Sequence, residues 1–428
     1  MSLLPIAALF ILFSINIPVA FSLLSATLVY FNFINTQMPV DMIFQRLIAS
    51  AESFPLLAVP FFITAGSVMN YSGISTRLMD MAEVLSGHLK GGLAQVNVVL
   101  STLMGGVSGS ANADAAMESK ILVPQMVKRG FPLAFSGAIT AASAVISPII
   151  PPGIGLIIYA FLANVSVGKM FVAGYIPGLL MCAALMIAVD IIAKRRGYRP
   201  IRETRARFPE ILKQTYRSSW ALFLPFGIIL GLRFGMFTPT EAGAMSVFYA
   251  LIVGFFVYRE LKPSHIPKIL VESVLGTAGV MLIICAASAF GYYMSWERLP
   301  QMISEYLIGL TSNPIILLLI INAFLLFIGM FIEGTASLII LTPLLVQAAT
   351  ALGIDPVHFG IIMVLNLTIG GVTPPFGTLL FLVSSVLEIS PTSIIREVLP
   401  FIFALIVVLF LVTFTPGMVM FLPNLLMK

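Results

Sequence analysis

Two apolar runs in this chain break at a double proline, and the two breaks correspond. The first reads Ile146-Ser147-Pro148-Ile149-Ile150-Pro151-Pro152-Gly153 and the second Ile369-Gly370-Gly371-Val372-Thr373-Pro374-Pro375-Phe376. An offset of 223 residues aligns Pro151 with Pro374, Pro152 with Pro375, Gly137 with Gly360 and Pro177 with Pro400. Earlier in each copy an offset of 219 pairs Asp114 with Glu333 and Pro124 with Pro343, and 221 pairs Arg77 with Arg298. The chain reads as a duplicated unit, roughly 77–193 and 298–416, with an interrupted helix in each copy. Proline removes an N–H and disrupts the preceding turn, so such a break survives only where the freed backbone groups find partners. Matched interruptions in two halves are the sequence mark of a transporter's binding site.

Apolar residues fill 59% of the 428 positions and charged residues only 10%, against roughly 25% charged in a soluble domain. Continuous apolar stretches long enough for ~30 Å of hydrocarbon recur throughout, which predicts an all-α polytopic membrane protein and excludes a β-barrel. No basic leader precedes Leu3, so no cleavable signal peptide is expected. Cys182 and Cys285 each lie within an apolar run and read as core residues. Nine of the 23 Lys and Arg residues fall between Lys194 and Arg217, which places that loop in the cytoplasm beside anionic headgroups. No soluble module accompanies these charges, so nucleic acid is not an expected partner.

Expected spans are 3–33 (bent at Pro18), 50–70, 133–163, 170–193, 220–235, 241–258, 267–295, 314–331, 357–388 and 396–426. Two stretches are too broken to cross in one piece: 92–127, interrupted at Gly105–Asp114, and about 326–350, interrupted at Gly329–Thr335. Both suit re-entrant helical hairpins. Segments 75–90 and 297–311 read as amphipathic arms at the interface. Lys90, Lys120, Lys128 and Arg129 flank the first hairpin, whereas no Lys or Arg occurs from Leu299 to Ile395. The two hairpins should therefore open to opposite sides, an inverted repeat. The expected division is scaffold helices at 1–74, first repeat at 75–193, basic loop and scaffold at 194–296, and second repeat at 297–428.

Gly105–Asp114 combines permissive glycines with the short oxygen-bearing side chains of Ser108, Ser110 and Asn112. Carbonyls at such a tip can ligate a hard cation and its helix N-terminus can attract an anion. Ser147 to Pro152 supplies a second unwound stretch; the bland alternative for both is Gly/Ser helix packing. In the second copy Glu333, Gly334, Thr335, Asn366, Thr368 and Thr373 take these places. A carboxylate at membrane depth is costly unless paired, protonated or beside a cation, which makes Glu333 and Asp114 cation- or proton-site candidates, with helix capping as the alternative. Glu241 and Asp190 sit at segment ends and read as caps or anchors. Gly106-Val107-Ser108-Gly109 fits an intramembrane serine-protease pattern but lacks a histidine base in reach: His358 starts a segment, and His88 and His265 are in loops.

These residues resemble the large membrane subunit of tripartite ATP-independent periplasmic (TRAP) transporters over essentially the whole chain. The resemblance rests on Gly-Gly-x-Ser-Gly-Ser-Ala-Asn-Ala-Asp-Ala at 105–115, Ser-Pro-x-Ile-Pro-Pro at 147–152 and Thr-Pro-Pro-x-Gly at 373–377. It implies a Na⁺-coupled secondary importer of organic acids with a scaffold and an elevator-type transport domain. It also implies a periplasmic substrate-binding protein and a small four-helix membrane subunit, here a separate polypeptide. One Na⁺ site is expected at Gly105, Ser108, Ser110, Ser147, Ile150 and Pro152, and a second at Glu333, Gly334 and Thr373; the family often has Asp where Glu333 stands. Asn112, Asp114, Thr335 and Asn366 are the substrate candidates. The sialic-acid branch is favoured over the C4-dicarboxylate branch. The alternatives are a stand-alone Na⁺/organic-anion symporter or Na⁺/H⁺ antiporter of related fold, a membrane hydrolase using Ser108, and a passive channel.

Overall fold

The computed structural model describes residues 4–15, 17–35 and 39–427, which form helices and no strands. Helices α1 (Leu4–Ser14), α2 (Val19–Val29), α3 (Asp41–Ala51) and α4 (Ala58–Tyr71) precede the first copy. That copy runs from an arm, α5 (Ile74–Ser86), through a hairpin, α6 (Leu93–Ser108) and α7 (Ala111–Ile121), to the short α8 (Val123–Lys128). Its broken helix is α9 (Leu133–Ala144) with α10 (Ile154–Leu162), and α11 (Val167–Arg196) closes it. Helices α12 (Phe208–Arg217), α13 (Ser219–Arg233), α14 (Pro239–Ile252) and α15 (Ile266–Trp296) lead to the second copy. There the arm is α16 (Leu299–Leu310), the hairpin α17 (Pro314–Phe331) and α18 (Gly334–Ala351), and the broken helix α19 (Pro356–Gly370) with α20 (Thr378–Leu387). Helices α21 (Pro391–Phe414) and α22 (Pro416–Leu426) end the chain.

Several expected boundaries shift. The bent segment at 3–33 is two helices packed on one another, because Pro18 is extended (φ −55°, ψ 142°) and starts a new helix; Leu3 and Asn16 lie outside the described residues. The second hairpin is longer than 326–350: the span expected at 314–331 is its first arm, and the turn is confined to Ile332 and Glu333. The last span divides at Thr415. Helices α3 and α12 had no counterpart in the expected segments. At the start of α14, Thr238 and Glu241 form a reciprocal cap (Thr238 N to Glu241 Oε2 2.7 Å; Glu241 N to Thr238 Oγ1 3.3 Å), and Asp190 pairs with Lys194.

Helix starts fix the repeat. The starts of α7 and α18 (111 and 334) and of α9 and α19 (133 and 356) both differ by 223. The same offset thus holds in the hairpins, which overturns the pairing of Asp114 with Glu333. Glu333 is equivalent to Ser110, each the N-cap of its half-helix, and Asp114 to Ser337. The shorter offset matched residue type, not helix position. Arg298 likewise corresponds to Gly73 and not to Arg77: both precede an arm helix in the left-handed region (φ 56° and 80°).

Equivalent helices run in opposite directions. Arg196, at the end of α11, pairs with Glu397 at the start of α21 (2.8 Å) and lies over the Phe135 ring at the start of α9. At the other end, Tyr159 donates to the Pro356 carbonyl (2.7 Å) and His358 Nε2 meets the Val412 carbonyl (2.9 Å). The starts of α9 and α19 are therefore on opposite faces, and the repeat is inverted. Lys128, Arg129 and Lys194–Arg196 mark the first face as cytoplasmic. Helices α9 and α19 are buried almost all round, as expected of centrally placed apolar helices. Each hairpin leans on the other copy: α7 packs against α20, and α18 against α10. Helices α2, α3 and α4 pack on α15, with α14 against α4, beside this core.

Candidate functional site

The two hairpin tips meet at a cavity of about 450 Å³. Four helix N-termini of the two repeats open onto it: α7 through Ser110, Ala111 and Asn112, α10 through Ile154 and Gly155, α18 through Glu333, Gly334 and Thr335, and α20 through Thr378 and Leu379. Each leaves backbone N–H groups without helical partners at the positive end of a helix dipole. The caps differ. Ser110 Oγ accepts from Ala113 N at 3.4 Å, whereas the Glu333 carboxylate accepts from Ala336 N and from Thr335 Oγ1, both at 2.9 Å. Among the described residues, Glu333 is the only charged side chain in the lining. The opposite wall is Val19 with Leu275, Gly276, Gly279, Val280 and Ile283 of α15.

Behind the first tip lies a compact set of oxygens. A Cβ on Gly105 would come within 2.9 Å of Ile150 Cβ and 3.1 Å of Ser147 Cα, so only glycine lets α6 approach the unwound stretch this closely. Gly109 (φ 59°) abuts the Pro152 carbonyl, and Ser108 Oγ accepts from Ser110 N at 3.3 Å. The Ser147 hydroxyl donates to the Asp114 carboxylate and lies 3.3 Å from the Ser101 carbonyl. One turn along α7, Glu118 accepts from Ser101 Oγ (2.9 Å to each oxygen). Asp114 and Glu118 are 1% and 0% exposed, and neither forms an ion pair among the described residues.

Behind the second tip the backbone is equally close. Gly329 and Gly370 touch through their backbones; Gly370 holds the place of Ser147, and Gly329 that of Gly106, one residue beyond Gly105. The Leu367 carbonyl lies near Gly329 and Gly334, and Gly377 N donates to the Met330 carbonyl at 3.0 Å. Thr373 Oγ1 donates to the Ile369 carbonyl at 2.8 Å, which leaves its lone pairs free.

The structure thus brings Gly105, Ser108, Ser147, Ile150 and Pro152 together, puts Ser110 at the boundary between this set and the cavity, and groups Glu333 and Gly334 at the second tip. Asn112 and Thr335 line the cavity; Asp114 and Asn366 do not. Asn366 donates to Asn322 Oδ1 (2.8 Å) and Asn322 to Thr413 Oγ1 (3.0 Å), tying the hairpin arm α17 to α19 and α21. Ser143, Asn97 and Thr140 tie α6 to α9 in the same way. Sequence reasoning missed Thr378, the Glu118–Ser101 pair and the α15 wall. The first two sit beside motifs already singled out, but nothing in the pattern of α15 distinguishes a wall from an ordinary span.

An inverted repeat of hairpins and broken helices around one central cavity defines a multi-pass membrane transporter. The family model for the tripartite ATP-independent periplasmic transporter, DctM component, matches residues 6–418, and the chain belongs to this family. It is 42% identical over 410 residues to the sialic acid TRAP transporter large permease protein SiaM of Vibrio cholerae serotype O1, covering 96% of this chain and 95% of that protein. To the C4-dicarboxylate TRAP transporter large permease protein DctM of Pseudomonas aeruginosa it is 38% identical, over 89% and 88% of the two chains. The crystal structure of the Alcanivorax borkumensis YdaH transporter shares the fold at a TM-score of 0.61 and 15% identity, over 89% and 90%. The chain is a large permease component of the inner membrane, not an enzyme.

Proposed function

We propose that this chain is the membrane carrier of a Na⁺-coupled importer of organic acids. It works with a small four-helix subunit and a periplasmic binding protein that delivers the substrate. The carrying observation is the division of polarity at the two tips. Helix N-termini face the cavity, where they attract a carboxylate, and carbonyl and hydroxyl oxygens gather behind them, where they suit a hard cation. The buried Asp114, with no cationic side chain beside it, fits the first set as a counter-charge to Na⁺, since a carboxylate at membrane depth needs a cation or a proton. Gly105, Ser108, Ser147, Ile150 and Pro152 would hold one ion; Glu333, Gly334 and Thr373 fit a second. The hairpins and broken helices form the moving element, and α2–α4 with α13–α15 the fixed one, in an elevator motion. Sialic acid and C4-dicarboxylates are the substrate classes to test first, because relatives of both kinds match nearly the whole chain. The test is uptake into proteoliposomes holding this chain and the small subunit, with the binding protein outside and an inward Na⁺ gradient. Saturable accumulation above equilibrium that needs all three proteins and Na⁺ is expected. Flux by this chain alone indicates a stand-alone symporter, and Na⁺-independent flux removes the coupling.

A further inference from the structure

Two bare glycines on α15 line the cavity opposite the hairpin tips, and they are not alike. A Cβ on Gly276 would meet Ile63 Cγ2 at 3.1 Å, so that glycine lets α15 lie close to α4. A Cβ on Gly279 meets nothing within 4 Å. Glycine inside a helix costs about 1 kcal/mol relative to alanine, and no neighbour among the described residues accounts for that cost at Gly279. Its space belongs to the cavity.

We infer that Gly279 sets the size of the cargo, and that the cargo is an organic monoacid with a bulky, uncharged far end. Given the organic-acid reading above, on which this rests, the carboxylate sits at the half-helix N-termini and the rest of the molecule extends toward α15. Beyond Val19 at the start of α2, that wall is α15, which offers Leu275, Val280, Ile283 and glycine backbone whose N–H and C=O groups are already used within the helix. Among the described residues no Lys, Arg or His lines the cavity, and its one charged side chain, Glu333, is itself acidic. A second carboxylate pressed against α15 would lose its hydration with nothing to replace it. The four-carbon chain of a dicarboxylate would also leave much of the 450 Å³ unfilled.

The test uses the complex with its small subunit in proteoliposomes, with Cys182 and Cys285 replaced by alanine. Gly279→Cys and Gly276→Cys are modified with a small methanethiosulfonate in Na⁺, with and without sialic acid or succinate. The thiol of Gly279→Cys should react, sialic acid should slow that reaction at least 5-fold, and succinate should leave it unchanged. The thiol of Gly276→Cys, against Ile63, should react more slowly. In parallel, Gly279→Leu should lower sialic-acid uptake at least 10-fold while the Na⁺-induced rise in thermal stability stays as in the parent. The inference is overturned by an unreactive thiol in Gly279→Cys, by equal protection from succinate, by no protection from either acid, or by undiminished uptake in Gly279→Leu. Loss of Na⁺-dependent uptake in the parent complex would instead count against the organic-acid reading itself.

Discussion

Replacing Ser147 by alanine isolates one link in the first proposed ion site. The side chain is fully buried, and its hydroxyl donates to the Asp114 carboxylate beside the Ser101 carbonyl. Alanine keeps the backbone, the Pro148 break and the contact with Gly105, so the lesion is one hydroxyl. A hydrogen bond to a charged group is worth about 1.5–3 kcal/mol, and 1.4 kcal/mol is a factor of ten in affinity. Apparent Na⁺ affinity should therefore fall roughly 10- to 100-fold, with membrane insertion intact. The measurements are the Na⁺ concentration at half-maximal uptake and the Na⁺ dependence of thermal stability. A cycle with Asp114→Asn adds a second constraint: if both act through one bond, the double variant loses little more than the worse single. Wild-type Na⁺ dependence in Ser147→Ala, or fully additive losses, would refute the assignment.

Other substitutions probe the remaining parts. Ser108→Ala removes the acceptor for Ser110 N and should weaken Na⁺ dependence several-fold, read by the same titration. Glu333→Gln keeps an oxygen for Ala336 N but drops the charge, so Na⁺ dependence should weaken with the helix start intact; Glu333→Ala should also lower the melting temperature, since loss of a cap costs about 0.5–2 kcal/mol. If Ser108→Ala, Ser147→Ala and Glu333→Gln all behave as wild type toward Na⁺, both ion sites are wrong. Thr238→Ala breaks the α14 cap and should cost about 1 kcal/mol in thermal stability with no change in Na⁺ dependence. Single cysteines introduced as Lys128→Cys and Ala351→Cys, in a background lacking Cys182 and Cys285, should label from opposite sides of the membrane; labelling from one side would sink the inverted repeat.

What the sequence disclosed followed the strength of its local signals. The double prolines located both helix breaks because proline acts on its own backbone wherever it stands. Charge placement gave the inversion, since Lys and Arg near short loops report sidedness without any contact being known. The pairing of Asp114 with Glu333 failed because it rested on residue type across a stretch where helix position decides equivalence. Asn366 was attractive as a polar residue at membrane depth, but its partner Asn322 lies 44 positions earlier on another helix, a link no local pattern reveals. The α15 wall stayed hidden for the same reason: Gly276 and Gly279 acquire different meanings only once Ile63 and the hairpin tips are placed around them.

The corrected equivalence shows where the two copies part company. In the first, Ser110 caps α7 and the acid stands four residues later, behind the tip, bonded to Ser147. In the second, the acid is itself the cap of α18, while Ser337 and Gly370 occupy the places of Asp114 and Ser147, and the Ser337 hydroxyl is buried without a partner among the described residues. The negative charge is thus behind the first tip but at the cavity in the second. A capping carboxylate offsets the positive end of its own helix, so α18 attracts an anion less than α7 does until a cation sits beside Glu333. Under the proposed function, an incoming carboxylate would meet its more favourable helix end at Ser110–Asn112, and a cation at Glu333 would make the second tip equally receptive. Duplication supplied two similar tips, and the exchange of one acid for one hydroxyl is what would make one of them depend on the proposed ion.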